Sequence, residues 1–189
     1  MPALYEEFIG KSTTSDEFIS YLKDHNKYTL PLNLVEIIEF LGIKLENDPD
    51  FENITRLGSI SRSGSVVKLW YNPIENQLET RKRFTIAHEL AHFFLHFATS
   101  QEDMTDDVIS FNRDDNSNKA EWGANKFAAN LLMPTVDVFV QAKIFIHDYK
   151  KTTEQAAQMP KDEFIEKMAR FFIVSQSAME YRLNTLGVL

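Results

Sequence analysis

Apolar residues recur along this 189-residue chain at two spacings, and the switches between them divide it into elements. Helical spacing predicts a short amphipathic helix over Ser15–His25 with Ser15 as its N-cap, and a second over Pro31–Leu41. Gly42 stands where a helix-ending glycine belongs. Ile43-Lys44-Leu45 then alternates like a strand, and Ile54–Ile60 and Val66–Tyr71 read as two more. Ser61-Arg62-Ser63-Gly64 is the turn signal between them, and Asn72-Pro73 ends the hairpin. A long helix follows from about Gln77 to Phe97, then a loop, then a helix from about Lys119 to Met133. Pro134 stops that helix and opens the next, Thr135 to about Phe145. Lys161–Phe172 and Ser175–Leu186 complete the series. The expectation is an α+β fold, a small antiparallel sheet packed on helices with a helical C-terminal part. Residues 1–189 are expected to form a single domain, with 161–189 as a helical appendage whose rhythm resembles a helix-turn-helix.

One helix breaks the amphipathic pattern. Between Phe84 and Phe97 the residues around His88-Glu89-Leu90-Ala91-His92 are almost all apolar. A helix apolar on all sides is buried, and buried imidazoles and carboxylates need partners. A divalent metal, zinc above all, supplies them. Residues four apart share a helix face, so His88 and His92 can bind one ion. Glu89 lies about 100° round the helix from His88, where it reaches a water on the ion's open side rather than the ion.

A catalytic zinc takes three protein ligands. His25, His96, His147 and the carboxylates are the candidates. His96 is two turns beyond His88, about 12 Å at 1.5 Å per residue, too far along a straight helix to share the ion. The ligand therefore comes from another helix, and Glu121 is the best candidate. It heads a stripe through Asn125, Ala128 and Leu132 on a helix whose alanines permit close approach. Asn125, one turn on, can accept the Nδ1–H of a ligand histidine and fix its tautomer.

Composition narrows the setting. There are no cysteines, hence no thiolate site and no disulfide framework. The N-terminus lacks a signal-peptide pattern, no apolar run is long enough to span a bilayer, and a cytoplasmic location is expected. A net charge of −8 argues against direct nucleic-acid binding. Thr99–Asn118 carries six acids against one base, which reads as a solvated loop or a flap favouring a basic partner. From Lys161 onward four bases face four acids, so packing or partner docking suits the C-terminal helices better than phosphate binding.

Arg83–His96 (RFTIAHELAHFFLH) followed by Glu121–Pro134 (EWGANKFAANLLMP) resembles the ImmA/IrrE family of bacterial and phage metallopeptidases. The resemblance covers roughly Pro31–Pro134, with a looser match in Phe171–Gly187. It implies a zincin-like core, with His88, His92 and Glu121 as zinc ligands and Glu89 as the catalytic glutamate. It also implies a protein substrate, typically a helix-turn-helix repressor inactivated by cleavage, with some members in toxin–antitoxin-like pairs. Two residues after the ligand, where members often carry a second Glu, this chain has Gly123. No fused DNA-binding domain is expected, and the first thirty residues match no motif.

His96, His147, Tyr149 and Arg182 are the candidates for stabilising an oxyanion. Strand Val66–Tyr71 could pair with an extended substrate, with Trp70 and Tyr71 flanking the cleft. The chemistry expected is a zinc endopeptidase, with Mn2+ or Fe2+ also compatible with a His/His/Glu site. The alternatives are a zinc-stabilised module that sequesters a regulator without cutting it, and a transcription factor using the C-terminal helices.

Overall fold

The computed structural model describes residues 3–52, 54–98, 104–105, 115–152 and 159–189. Most of the acidic stretch 99–118 lies outside them. The fold is α+β, with a small mixed sheet set against helices.

Helix α1 (Ser15–Asp24) is capped by Thr14 rather than Ser15. The reason is Glu17. Thr14 Oγ1 accepts from the Glu17 amide at 3.3 Å, and the Glu17 carboxylate accepts from the Thr14 amide at 2.7 Å. This reciprocal box needs a carboxylate three residues after the cap, and Ser15 has Phe18 there. Helix α2 (Leu34–Leu41) starts from Asn33 and ends at Gly42, whose φ of 77° is the left-handed conformation expected of it.

The strands are β1 (Lys44–Glu46), β2 (Gly58–Ser63), β3 (Val66–Tyr71) and the two-residue β4 (Met104–Thr105), in the order β1-β3-β2-β4. The hairpin is antiparallel as expected, but β1 joins β3 in parallel, so the sheet is mixed and not antiparallel throughout. The hairpin is also shifted. Ser63 pairs with Val66, which makes Gly64-Ser65 the turn and puts Ser61–Ser63 inside the strand. Residues 54–57, read as strand from sequence, precede it. Backbone pairing with Val66–Lys68 overrides the polar side chains of Ser61, Arg62 and Ser63. Strand β3 is interior, flanked by β1 and β2, so it offers no edge to a substrate. Strand β2 meets β4 only at Ser61 and Arg62, which leaves Gly58–Ile60 on the sheet edge among the described residues.

Helix α3 (Glu79–His92) passes over the sheet and continues into a π-helical turn, Phe93–Phe97. Ile86, Ala87, Leu90, Ala91, Phe93 and Phe94 are buried. The N-terminal residues without a motif complete this core. Phe8 and Phe18 pack their rings 5.0 and 4.3 Å from Phe94. The Thr13 amide also donates to the Phe94 carbonyl at 3.2 Å, satisfying one of the acceptors freed at a helix end.

Helix α4 (Asp115–Leu132) lies along α3 with Ala124 and Ala128 fully buried between them. Helix α5 (Thr135–Thr152) runs well beyond Phe145; α6 (Lys161–Phe172) has the predicted bounds; α7 (Gln176–Thr185) is capped by Ser175. Arg182 ties α7 to the α4–α5 junction, donating to the Met133 carbonyl at 2.9 and 3.0 Å and to Thr135 Oγ1 at 3.2 Å. Among the described residues no single helix is long and apolar enough to cross a membrane.

Gly123 sits inside α4, where a Cβ would meet only Leu95 Cδ1, at an ordinary 3.6 Å. Gly123→Ala should therefore stabilise the protein by about 0.5–1 kcal/mol through helix propensity. In a chain of this length that raises the melting temperature by about 1–4 °C in a thermal scan.

Candidate metal centre and active site

Helical spacing brings His88 and His92 together on α3, and the alanine seam brings α4 close enough for Glu121 to reach both. The Nε2 atoms of His88 and His92 are 3.0 Å apart. Glu121 turns one carboxylate oxygen to each, at 3.3 Å from His88 and 3.2 Å from His92. Four-coordinate ligands held about 2.0–2.1 Å from a zinc ion stand about 3.3–3.4 Å from one another. The three side chains therefore already have the spacing of ligands around one ion, and they could hold a metal.

Proton placement supports the same reading. Asn125 Oδ1 lies 3.1 Å from His88 Nδ1. That bond puts the proton of neutral His88 on Nδ1 and leaves a lone pair on Nε2, which points at the carboxylate of Glu121. Two acceptors at that range repel unless a cation lies between them. Protonating both Nε2 atoms instead sets two donors face to face at 3.0 Å. In that doubly protonated arrangement the bonds from His88 and then His92 hold the Glu121 carboxyl well below the usual carboxylate range.

Glu89 is buried on the adjacent face of α3 and meets the start of β2. A Cβ built on Gly58 would fall 2.9 Å from Glu89 Oε1 and 2.6 Å from Thr85 Cγ2. Glycine lets the strand pass this close to the helix. A buried amide fixes the approach. Asn76 Nδ2 donates to the carbonyls of Leu57 at 2.7 Å and Asn72 at 2.8 Å, while its Oδ1 accepts from Thr85 Oγ1 at 2.7 Å. Thr85 is one turn before Glu89 on the same face. Gly58, Asn76 and Thr85 escaped the reading of the sequence. Gly58 inside a strand pattern was the available signal, because an isolated strand glycine marks a close backbone approach.

The other candidates fall elsewhere. His25 bonds the Tyr21 carbonyl through Nδ1 at 2.8 Å. His96 sits in the π-helical turn beside His92, their ring centroids 5.6 Å apart, and is not among the three converging ligands. Burial lowers its pKa, partly offset by a bond to the backbone of Ala120. His147 is exposed beside Asp148, and Tyr149 lies under Lys167 of α6. Arg182 is committed to Met133 and Thr135. Trp70 donates its indole N–H to the Asp48 carbonyl at 2.8 Å, which anchors it to the loop after β1.

The model described as the IrrE N-terminal-like domain, of the peptidase family M78, matches residues 74–184, well over half of the chain. This chain belongs to the IrrE N-terminal-like family. The match takes in α3, α4 and the C-terminal helices through most of α7, and it supports a metallopeptidase-type function for the IrrE-like chain. No curated protein matches it.

Two variants probe the geometry of this IrrE-like site. Asn125→Ala should weaken metal binding about 10–100-fold in a chelator competition, and Asn125→Asp should retain most of it. Gly58→Ala should lower stability by about 1–3 kcal/mol in urea unfolding, because its methyl group overlaps Thr85 and Glu89.

Proposed function

We propose that this chain is a zinc endopeptidase that cleaves a specific intracellular protein, a helix-turn-helix repressor or antitoxin. The observation that carries the reading is the convergence of His88, His92 and Glu121 with Glu89 buried beside them. Three nitrogen and oxygen ligands suit a catalytic zinc with one open position. The same set also suits Mn2+ or Fe2+, and the metal content of the purified protein decides between them.

A bound zinc ion supplies Lewis acidity, which polarises a peptide carbonyl and acidifies water. His88, His92 and Glu121 hold the ion, and Asn125 keeps His88 in the tautomer that presents Nε2. The Glu89 carboxylate takes a proton from the attacking water as the C–O bond forms. It returns that proton to the peptide nitrogen as the C–N bond breaks. Gly58, Asn76 and Thr85 keep Glu89 in place. Gly58–Ile60 of β2, next to Glu89 and on the sheet edge among the described residues, takes the extended substrate by strand addition. This replaces the role sequence reading assigned to Val66–Tyr71.

Family membership supports a protein substrate, and the net charge of −8 favours a basic one such as a DNA-binding regulator. A cytoplasmic location follows from such a partner. The reading is tested by incubating zinc-loaded protein with helix-turn-helix proteins of the source genome and sequencing the products. Glu89→Gln should keep its zinc and lose at least about 10²-fold in cleavage rate. Chelation should abolish cleavage and added zinc restore it. A wild-type protein that holds its partner with zinc bound and never cuts it would establish sequestration instead.

A further inference from the structure

A groove opens beside the donor triangle, between α3, α4 and α7, with a volume of about 450 Å³. Ala129, Met133 and Ala178 are apolar residues among its buried and half-buried lining. Phe84 forms one wall, and the rings of Trp122 and Tyr181 stand at the rim, 65% and 74% exposed. Large rings left in water around a concave apolar surface are typical of a recognition site. Lys126 lies over the Trp122 ring, 5.1 Å from its centroid. Arg182 spends its bonds on Met133 and Thr135, which sets the position of α7 and so the width of the groove.

The groove is continuous with the metal centre. Asn125 lines it and hydrogen-bonds Nδ1 of His88, whose Nε2 faces Glu121. Phe84, one turn before His88, packs its ring 6.1 Å from that imidazole. The groove thus begins one imidazole width, plus one hydrogen bond, from the donor triangle. Extended peptide advances about 3.3 Å per residue, so this separation corresponds to about two residues.

We propose that this groove is a specificity subsite that takes a bulky apolar side chain, phenylalanine or leucine in kind, about two residues from the bond that is cut. The assignment rests on the peptidase reading. The volume lies within the roughly 300–1,000 Å³ of side-chain and small-ligand pockets, which fits one large side chain with its flanking backbone.

The test uses end-blocked alanine–serine octapeptides that carry one phenylalanine moved along the sequence, with the version lacking phenylalanine as control. Zinc-loaded wild type should cut at a fixed offset of about two residues from the phenylalanine. Ala178→Phe, which fills the groove from α7, should reduce that preference at least about tenfold with zinc content unchanged. Trp122→Ala, at an exposed position that threatens folding little, should reduce it from the opposite wall. Binding is read separately in Trp70→Phe/Glu89→Gln protein, where Trp122 is the remaining tryptophan. Its emission should shift to the blue with the phenylalanine peptides and not with the control. A blue shift with no cleavage of the peptides or of the helix-turn-helix proteins by wild type would leave the groove a binding site for apolar side chains and remove the peptidase reading. Cleavage that ignores the phenylalanine, or that Ala178→Phe and Trp122→Ala leave unchanged, would overturn the subsite and leave the peptidase. Absence of both cleavage and shift would overturn it as well.

Discussion

Two imidazole nitrogens and a carboxylate packed within about 3.3 Å of one another form a set that one cation satisfies, and much of this fold serves to hold them at that range. One helix supplies two of them by its own repeat. The third requires a second helix to come close, and Ala124 and Ala128 allow it because small side chains bring backbones together. The approach must also be rigid. Just past His92, Phe94 locks α3 into an aromatic core with Phe8, Phe18 and Phe127, and Phe93 packs edge-on against Tyr5. Such cores pack to crystal-like density and resist small displacements.

Glu89 depends on a different set of contacts. It is placed by the sheet, through a strand whose first residue has no side chain and an amide that bonds both strand and helix. Asn76 joins two carbonyls of the hairpin region to the Thr85 hydroxyl, so the height of β2 above α3 is set by hydrogen bonds in a buried place. Buried bonds of this kind are costly to leave unmade, which makes the spacing well defined. His88, His92 and Glu89 thus share one helix but answer to different neighbours, α4 for the two histidines and the hairpin for Glu89.

What was legible in the sequence follows this division. Chemistry carried by helical repeats was readable: the His88–His92 spacing, the Glu121–Asn125 pair and the α6 bounds all appear as residues three or four apart. Chemistry carried by tertiary contact was not. Asn76 and Thr85 are ordinary polar residues until the hairpin is folded onto α3. The hairpin register was misread because Ser61, Arg62 and Ser63 look like a turn, whereas backbone pairing decides their state. The parallel placement of β1 and the interior position of β3 are matters of topology, which short strands do not announce. The N-terminal residues carry no motif because their task is burial: Tyr5, Phe8 and Phe18 pack against the C-terminal end of the helix that carries His88 and His92.

In the C-terminal helices burial decides between the roles that chemistry leaves open to an arginine. An arginine near a cleft invites an oxyanion role, and a helix pair with a short turn invites comparison with DNA-binding modules. Arg182 is 8% exposed, and its bonds go to a main-chain carbonyl and a threonine hydroxyl. A guanidinium used in this way is a bracket. It fixes α7 against the end of α4, the helix that carries Glu121 and Asn125. Met179 and Leu183 face inward beside it, while Tyr181 faces out over the groove. The helix that resembles a recognition element in rhythm thus forms a wall of the groove beside Asn125 and His88, and what it contributes there is the shape of that wall.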